Sequence, residues 1–342
     1  MSLHPSTRLA ALLILLALLL AAGGVAWLVR DVRAFADAPL SVAAPARIVV
    51  ARGSALKAIA AQLERRGYTR APTLYWRALA AWMGVTGRLH AGEYALAPGM
   101  TPRVLLQDMA AGRVVQHMFT LVDGWTFAQV RAALARAPEL RHTLQHMDDA
   151  QATRALGIPA PGPEGWLLPQ TYAYVLGDSD LDVLRRAYRA MQRLLAAQWP
   201  RRASGLPLRT PYQALILASI VEKETARPDE RARIAGVFVR RLERGMKLQT
   251  DPTVIYGMGA AYHGVITRKD LETDTPWNTY VHAGLPPTPI CMPGAPAVIA
   301  ALHPAAGKSL YFVARGDGTH VFSETLRQQD AAIDRYILHR KP

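Results

Sequence analysis

The pattern of apolar and polar residues begins with one long apolar run near the N-terminus. Residues 9–29 form a stretch of 21 residues without a charged side chain. About 20 apolar residues in a helix, at roughly 1.5 Å per residue, span the hydrocarbon core of a bilayer. The run therefore predicts a transmembrane helix over 9–29, with residues 1–8 as a cytoplasmic tail and the large remainder of the chain translocated.

A cleaved secretory signal is the alternative interpretation of this run. The segment "AFADA" that follows it resembles a small-residue cleavage site. The run is nevertheless longer than the roughly 7–15 apolar residues usual in such signals, which favours an uncleaved anchor. Arg8 lies before the run, and Arg30 and Arg33 lie after it, so the positive-inside rule gives nearly balanced evidence on orientation.

A short segment over 30–46, rich in alanine and proline, is predicted to be a linker. After it, a β-favouring run, a glycine turn and a helical period recur three times, starting at Ile48, Tyr94 and Phe119. A further helix with an aromatic stripe is predicted between the first two copies. Together these elements indicate a small α+β module over 47–114. The residues expected to cap the three recurring helices are Ser54, Thr101 and Thr126.

The rest of the chain alternates helical and strand patterns. Residues that alternate around a Gly-Asp-Gly turn predict a β-hairpin at 310–323, whereas the segment 140–160 is ambiguous. The predicted fold class is α+β: an N-terminal transmembrane helix, the small module, and a larger mixed α/β domain over 115–342 that ends in the hairpin and a helix. Amphipathic periodicity places the helices of the larger domain at 181–198, 212–226, 229–244 and 324–338.

The charge balance and the cysteine count narrow the possible functions. The sequence has 40 Lys and Arg against 26 Asp and Glu, a net charge of +14, which attracts an anionic partner such as a membrane surface, nucleic acid or an acidic cell-wall polymer. The one cysteine, Cys291, excludes an intramolecular disulfide and a CxxC metal site. The histidines lack an HExxH pairing and no phosphate-binding glycine loop is complete, so no metal and no cofactor are expected.

Candidate chemistry lies in the stretch "LILASIVEKETARPDE", residues 215–230, where an apolar helix ends in two carboxylates. At about 100° per residue, Glu224 continues the more apolar face and Glu222 points about 160° away. Only one of them is then expected to face a given cleft. A carboxyl group on an apolar face has a raised pKa, as a general acid at neutral pH requires, which favours Glu224. The alternative, two solvated acids at a helix end with Lys223 between them, stays open on the pattern alone.

Two polar, turn-forming segments follow, "LQTDPTVIYGMG" from residue 248 and "WNTYVHAGLPPTPI" from residue 277. Side chains that donate and accept hydrogen bonds are typical of a sugar-binding cleft. Taken singly, each of them has a simpler role in turn formation or aromatic packing. Because these polar residues follow a glutamate at the end of an apolar helix, the two segments together predict a cleft. The residues predicted to line it are Gln249, Thr250, Asp251, Tyr256, Asn278, Thr279 and Tyr280.

Four blocks of the sequence resemble a known family. They read "ILASIVEKET", "VFVRRLERGMKLQTDPTVIYGMG", "DLETDTPWNTYVHAGLPP" and "YFVARGDGTHVFSET", and they are similar to the YceG-like (MltG) family of endolytic murein transglycosylases. The resemblance implies a single-pass inner-membrane protein with a LysM-like peptidoglycan-binding module over 47–114 and a periplasmic catalytic domain over 115–342. It also implies peptidoglycan glycan strands as the substrate and peptidoglycan synthases as candidate partners. Nucleic acid is a distant alternative that only the charge suggests, and no nucleic-acid partner is expected.

By the same resemblance, the enzyme cleaves the β-1,4 bond between N-acetylmuramic acid and N-acetylglucosamine in nascent strands. The muramic acid C6 hydroxyl attacks its own anomeric carbon, which leaves a 1,6-anhydro end and consumes no water. The family's catalytic residue is the second glutamate of Glu-Lys-Glu-Thr, which is Glu224 here. Because the substrate supplies the nucleophile, this one carboxyl can serve as acid and base. The polar residues named above are expected to line the cleft together with Glu222 and Glu230, and Glu164 is a further candidate carboxylate.

Two other functions stay open. One is a hydrolytic muramidase, in which a second carboxylate such as Asp251 activates water. The other is a membrane scaffold that binds the cell wall without catalysis, in which Glu224 has a structural role only.

Overall fold

The structure, a computed structural model, describes residues 5–338. Its first element, helix α1 (Pro5–Asp37), contains a stretch, Leu12–Asp37, that is long and apolar enough to span a membrane and whose most apolar part is not buried. The helix continues through residues 30–37 because no proline interrupts it before Pro39. The linker predicted over 30–46 is therefore helical in its first eight residues. The predicted tail over 1–8 lies partly outside the described residues.

The chain folds into two compact units. The first contains the residues up to His117 together with residues 175–177, and the second contains residues 118–174 and the chain from Asp178 onward. The predicted boundary between residues 114 and 115 lies three residues before this division.

The first unit is a small α+β fold around one apolar core. Side chains from its strands and helices meet in this core, among them Ile48, Trp76 and Leu105, and the end of α1 adds Val32 and Ala36. The α+β character predicted for this module is therefore confirmed, while its bounds, 47–114, and its LysM-like character stay predictions. The two strands pair antiparallel. The elements are β1 (Ala46–Val50), α2 (Leu56–Arg65), α3 (Thr73–Trp82), β2 (Gly92–Leu96) and α4 (Pro102–Ala111).

From the boundary onward the chain is mostly helical. The elements are β3 (His117–Thr120), α5 (Phe127–Leu134), α6 (Asp149–Leu156), β4 (Thr171–Tyr174), α7 (Asp180–Gln198), α8 (Pro211–Glu224), α9 (Pro228–Glu243), α10 (Asp251–Met258), α11 (Arg268–Glu272), α12 (Ala295–Leu302), β5 (Tyr311–Ala314), β6 (His320–Ser323) and α13 (Leu326–Tyr336). Strand β3 pairs with β4, and β5 pairs with β6 as an antiparallel hairpin. The predicted hairpin is thus confirmed.

Helix α8 is the centre of the second unit. Residues 214–221 of this helix are all buried, and the helix packs against α9 and α12. A helix that is hydrophobic on all sides belongs inside a core. The residues at the end of α8 are therefore held by a helix that is packed on all sides.

The four predicted helices of this unit correspond to α7, α8, α9 and α13, with small shifts at their ends. Helix α8 ends two residues early, at Glu224, because Thr225 is extended and Pro228 begins the next helix. The ambiguous segment 140–160 contains a 3₁₀ turn and helix α6, which Asp148 caps.

One segment and one cap differ from the prediction. The chain from Asp251 was predicted to form turns, but it forms α10, because Pro252 stands in the first turn of a helix, where proline is tolerated. Thr101 and Thr126 cap α4 and α5 as predicted. Ser54 does not cap α2, since that helix begins after Ala55.

Candidate active site

Glu224 is the last residue of the buried helix α8. Its side chain emerges at the edge of the core beside a cleft of about 430 Å³. The residue is partly open to this cleft, while packed protein surrounds its carboxyl group. The C-terminal end of a helix also carries the negative end of the helix dipole. Both features disfavour the ionised form of the carboxyl.

Burial raises the pKa of Glu224 to about 7. Weaker effects act in both directions. The hydroxyl of Thr250 donates a hydrogen bond to Oε1 and lowers the pKa, the charge of Asp251 raises it, and the nearby His320 and Arg241 lower it. A carboxyl with a pKa near 7 is present in both protonation states at neutral pH, so it can give a proton and take one back.

A buried network of threonines holds Thr250 in place. The amides of Gln249 and Thr250 donate to the carbonyl and the hydroxyl of Thr279, both at 3.1 Å. The Thr253 hydroxyl lies 2.9 Å from the Thr279 hydroxyl and donates to the Thr250 carbonyl at 2.7 Å. Gln249 has a φ of 50°, which non-glycine residues rarely adopt, and it is exposed. Thr279 therefore fixes the loop from within, whereas Gln249 faces solvent.

Asp251 places a second carboxylate near Glu224. It is the exposed first residue of α10, and the Tyr280 hydroxyl donates a hydrogen bond to its Oδ1 at 2.5 Å. Burial, and then the bond to Asp251, raise the pKa of Tyr280 above its usual value. The structure thus brings three predicted site residues, Thr250, Asp251 and Tyr280, together around Glu224.

Arg241 is a buried cation that the sequence analysis did not assign to the site. From α9 its Nη1 donates to the Leu248 carbonyl at 2.8 Å, and its Nε donates to the Leu310 carbonyl at 2.7 Å. Burial lowers its own pKa, and its charge favours the ionised form of Glu224. Arg241 stands at an apolar position of an amphipathic helix, and a charge at such a position is the sequence signal that identifies it.

Glu230 and His320 form a second buried pair near Glu224. Nδ1 of His320 lies 2.6 Å from Oε2 of Glu230, and the His320 amide donates to Oε1 at 2.9 Å. Burial tends to raise the pKa of Glu230, but the hydrogen bonds from His320 outweigh it, and the pKa lies below its ordinary value. Sequence reasoning missed His320 because its partner lies 90 residues away along the chain.

Glu222 also lines the cleft, so the expectation that only one of the two glutamates faces it is wrong. Its Oε2 accepts a hydrogen bond from the Gly294 amide at 2.9 Å, and its Oε1 lies 3.6 Å from Nη2 of Arg231. Burial raises its pKa, and these two partners oppose the rise. The helical-wheel argument failed because the cleft crosses the end of the helix. The other residues that line the cleft are Asp123, Gly124, Lys223, Thr225, Ala226 and Arg231. The prediction that residues from 249–280 line it is therefore wrong for this cleft, because those residues gather on the other side of Glu224, around Thr250.

Two residues predicted to line the cleft are engaged in internal contacts. The Tyr256 hydroxyl donates to Glu164 at 3.1 Å, and the same carboxylate accepts the Phe127 amide at 3.1 Å. Asn278 is fully buried. Its amide group donates to three backbone carbonyls of α11 and the following turn, and its oxygen accepts the Tyr280 amide at 2.9 Å. Asn278 therefore organises the loop that carries Tyr280.

The fold and the site together define an α+β protein with a near-neutral acid, Glu224, in a cleft. The carboxylate of Asp251 lies close to that acid, and Arg241 and His320 moderate its pKa. Among the residues that the structure describes, no group of His, Cys, Asp and Glu is arranged to hold a metal ion.

The sequence model of the YceG-like family matches residues 48–335, so the chain belongs to this family. The chain is similar to the endolytic murein transglycosylase of Bacillus subtilis (strain 168), with 30% identity over 307 residues that cover 85% of this chain and 84% of the relative. It is also similar to the endolytic murein transglycosylase of Streptococcus pneumoniae serotype 2 (strain D39 / NCTC 7466), with 26% identity over 306 residues. That match covers 78% of this chain and 53% of the pneumococcal protein.

A solved structure has the same overall fold. The crystal structure of a yceG-like protein from Listeria monocytogenes matches with a TM-score of 0.53 and 29% identity, and the match covers 84% of this chain and 99% of that one.

Proposed function

We propose that this protein is a membrane-anchored endolytic murein transglycosylase in which Glu224 is both general acid and general base. One observation carries the proposal: the Glu224 carboxyl has a pKa of about 7, lies on a cleft and accepts the Thr250 hydrogen bond. Membership of the YceG-like family, and the similarity to two endolytic murein transglycosylases, support the same activity.

The substrate is the β-1,4 bond between N-acetylmuramic acid and N-acetylglucosamine within a glycan strand. Protonated Glu224 gives its proton to the glycosidic oxygen as the bond from C1 to that oxygen breaks. The carboxylate so formed takes the proton of the muramic acid C6 hydroxyl while the C6 oxygen bonds to C1. The products are a 1,6-anhydro end and a strand with a free 4-hydroxyl, and Glu224 is protonated again.

The neighbouring charges suit this cycle. The bond-breaking step develops positive charge on the sugar ring, and the exposed carboxylate of Asp251 is placed to stabilise that charge. Arg241 and His320 keep the pKa of Glu224 from rising further. Without them the carboxyl would give up its proton less readily.

A hydrolytic muramidase is the second candidate, and the position of Asp251 is the observation that favours it. Two-carboxylate glycosidases use one group as acid and the other to activate water. Asp251 is exposed and near enough to Glu224 to influence its pKa. The products separate the two candidates, because hydrolysis adds one water to the new end.

The rest of the chain supports action at a membrane surface. In this proposal α1 crosses the inner membrane, the first unit is a LysM-like module that binds peptidoglycan, and the chain from residue 115 is the periplasmic catalytic domain. Enzymes of peptidoglycan synthesis are the expected partners, and nucleic acid is not. The apolar, unburied stretch of α1 is the feature that supports the anchor.

The test compares the full-length protein with two glutamate-to-glutamine variants on purified glycan strands, with the products analysed by mass spectrometry. Glu224→Gln should lose the anhydro product. Glu243→Gln, an exposed glutamate at the end of α9, should keep it. A Glu224→Gln variant that cuts as well as the parent contradicts the assignment of the acid. A product heavier by one water rejects the transglycosylase in favour of the muramidase, and a parent that binds glycan without cutting it supports the scaffold.

A further inference from the structure

The first unit carries an exposed tryptophan between two arginines. Trp82, at the end of α3, is 53% exposed. The guanidinium carbons of Arg33 and Arg103 lie 5.4 and 5.1 Å from the centre of its ring. Contacts of this kind hold an arginine against an aromatic face while its charge stays open to solvent. The ring and the two cations therefore form one amphipathic patch.

A cavity of about 590 Å³ adjoins this patch and extends its charge. Arg88, Arg103 and Arg113 line it. Arg103 forms two hydrogen bonds with Asp37, at 2.7 and 3.1 Å, and Arg113 forms one with Asp108 at 2.7 Å. The arginine surface, defined as Arg33, Trp82, Arg88, Arg103 and Arg113, thus has four guanidiniums against two carboxylates.

Two of these arginines are available to a ligand. Arg33 and Arg88 are exposed, and within residues 5–338 neither has a carboxylate partner. A guanidinium offers paired donors that match the geometry of a phosphate group. The arginine surface is therefore suited to phosphate-bearing ligands. It offers few of the amide and hydroxyl groups that a neutral sugar would need, since Gln107 is the one amide side chain lining the cavity.

The position of Arg33 on the apolar helix α1 favours one kind of phosphate-bearing ligand, the lipid headgroup. Helix α1 is continuous from Pro5 to Asp37, so Arg33 lies one helical turn, roughly 6 Å, beyond the last residue of the uncharged run. The headgroup layer of a bilayer is about 5–8 Å thick on each side of the hydrocarbon core. Arg33 therefore stands at headgroup level, and Trp82 packs on Arg33.

Helix α3 packs against α1 close to Arg33. The Tyr75 hydroxyl donates to Asp31 at 3.2 Å, and the rings of Phe35 and Trp76 lie 5.1 Å apart. Trp27, on α1 itself, is 55% exposed just before the end of the apolar run. Tryptophans are enriched at the level where hydrocarbon meets headgroups. The two exposed tryptophans thus bracket the expected membrane surface.

We propose that the arginine surface binds anionic phospholipid headgroups of the membrane that α1 spans, so that the first unit rests against the bilayer. The inference rests on the membrane anchoring in the proposed function and is independent of the reaction. Its physical basis is charge complementarity with lipid phosphates at the depth where α1 places Arg33, with Arg103 against the same tryptophan ring.

The test measures arginine reactivity in the full-length protein embedded in lipid nanodiscs. Phenylglyoxal labels accessible arginines, and mass spectrometry gives a rate for each. Arg33 and Arg88 should react several-fold more slowly in discs that contain phosphatidylglycerol than in discs of phosphatidylcholine alone. Arg52, an exposed arginine of the same unit outside the arginine surface, should react equally in both. Salt at about 1 M should remove the difference, because the screening length falls to about 3 Å.

A second measurement uses brominated phosphatidylglycerol, which quenches tryptophan at the membrane surface. Trp82→Phe should reduce the part of the tryptophan fluorescence that the brominated lipid quenches. The same quenched part should be smaller in the double variant Arg33→Gln with Arg88→Gln than in the parent. It should be unchanged in Arg52→Gln. Equal labelling in both kinds of disc overturns the inference, as does protection by soluble glycan strands in neutral discs. A protein that does not enter the discs overturns the anchor and the inference together, whereas loss of glycan cleavage alone affects neither.

Discussion

Thr250 donates a hydrogen bond from its hydroxyl to Oε1 of Glu224, although the two residues lie on different elements, 26 residues apart. The bond favours the carboxylate and so opposes burial, which favours the protonated acid. The pKa near 7 is the balance between them. The threonine network around Thr279 fixes the direction of the donor, so the orientation of Glu224 also depends on the buried residues Thr253 and Thr279.

Thr250→Val should slow glycan cleavage by about tenfold, the effect of losing one hydrogen bond to a charged group. Because the lost bond lowered the pKa of Glu224, that pKa should rise in the variant. The acid must be protonated to act, so activity falls as pH rises through its pKa, and the alkaline limb of the kcat/KM profile should move to higher pH. Thr120→Val removes a hydroxyl pair on the surface and should leave both rate and profile unchanged. A limb that moves to lower pH contradicts the assigned hydrogen bond.

Local patterns in the sequence single out four residues that the structure brings together, namely Glu224, Thr250, Asp251 and Tyr280. Glu224 stands out because an apolar helix has no packing reason to end in a carboxylate. Thr250, Asp251 and Tyr280 stand out because they are polar residues in segments with turn character. Their contacts with one another follow from the tertiary fold, which brings α8, α10 and the loop before α12 together.

The failures of sequence reasoning have physical causes as well. Helix α8 is buried on all sides, so a wheel that assigns one apolar face to it cannot say which carboxylate meets the cleft. Asn278 looks like a sugar ligand in the sequence, but its donors and acceptor are used within its own loop. The pairing of His320 with Glu230 depends on long-range topology, and no local pattern encodes it.

Glu164→Gln should change how stability depends on pH. Burial raises the pKa of Glu164 from 4.5 to about 7. An acid whose pKa is higher in the folded state contributes stability below its unfolded pKa and loses it as pH rises through the folded pKa. The parent should therefore lose roughly 3 kcal/mol of stability from this group between about pH 4.5 and 7. A glutamine whose oxygen takes the place of Oε2 can still accept the bonds from Phe127 and Tyr256.

Thermal unfolding of the full-length protein in detergent, followed by circular dichroism from pH 5 to 8, measures this effect. Glu164→Gln should melt at a higher temperature than the parent above pH 7, and its melting temperature should depend less on pH. Glu272→Gln, at an exposed ion pair with Arg268, should follow the parent. If Glu164→Gln keeps the slope of the parent, the carboxyl is not protonated in the folded state.

Gly294→Ala should displace two carboxylates that line the cleft, Asp123 and Glu222. A Cβ at this position would lie 2.3 Å from Oδ1 of Asp123 and 3.3 Å from Oε2 of Glu222, so both carboxylates must move. The expected cost is about 1–3 kcal/mol of stability and at least about a tenfold loss of cleavage. Gly162→Ala, where a Cβ meets no atom within 4 Å, is the matched control. Unchanged activity in Gly294→Ala would mean that the Glu222 side of the cleft does not contact the glycan.

Asp251→Asn separates the two reactions that the site allows. The charge of Asp251 raises the pKa of Glu224, so its removal should lower that pKa and move the alkaline limb of the kcat/KM profile to lower pH. The amide oxygen can still accept the Tyr280 hydrogen bond, which preserves the loop. For a transglycosylase, the rate should fall by about tenfold because less positive charge is stabilised on the sugar, and every product should keep its anhydro end.

Asp274→Asn, an exposed aspartate paired with His282, should behave as the parent. If Asp251 instead activates water, the variant should lose cleavage altogether while the parent yields ends heavier by one water.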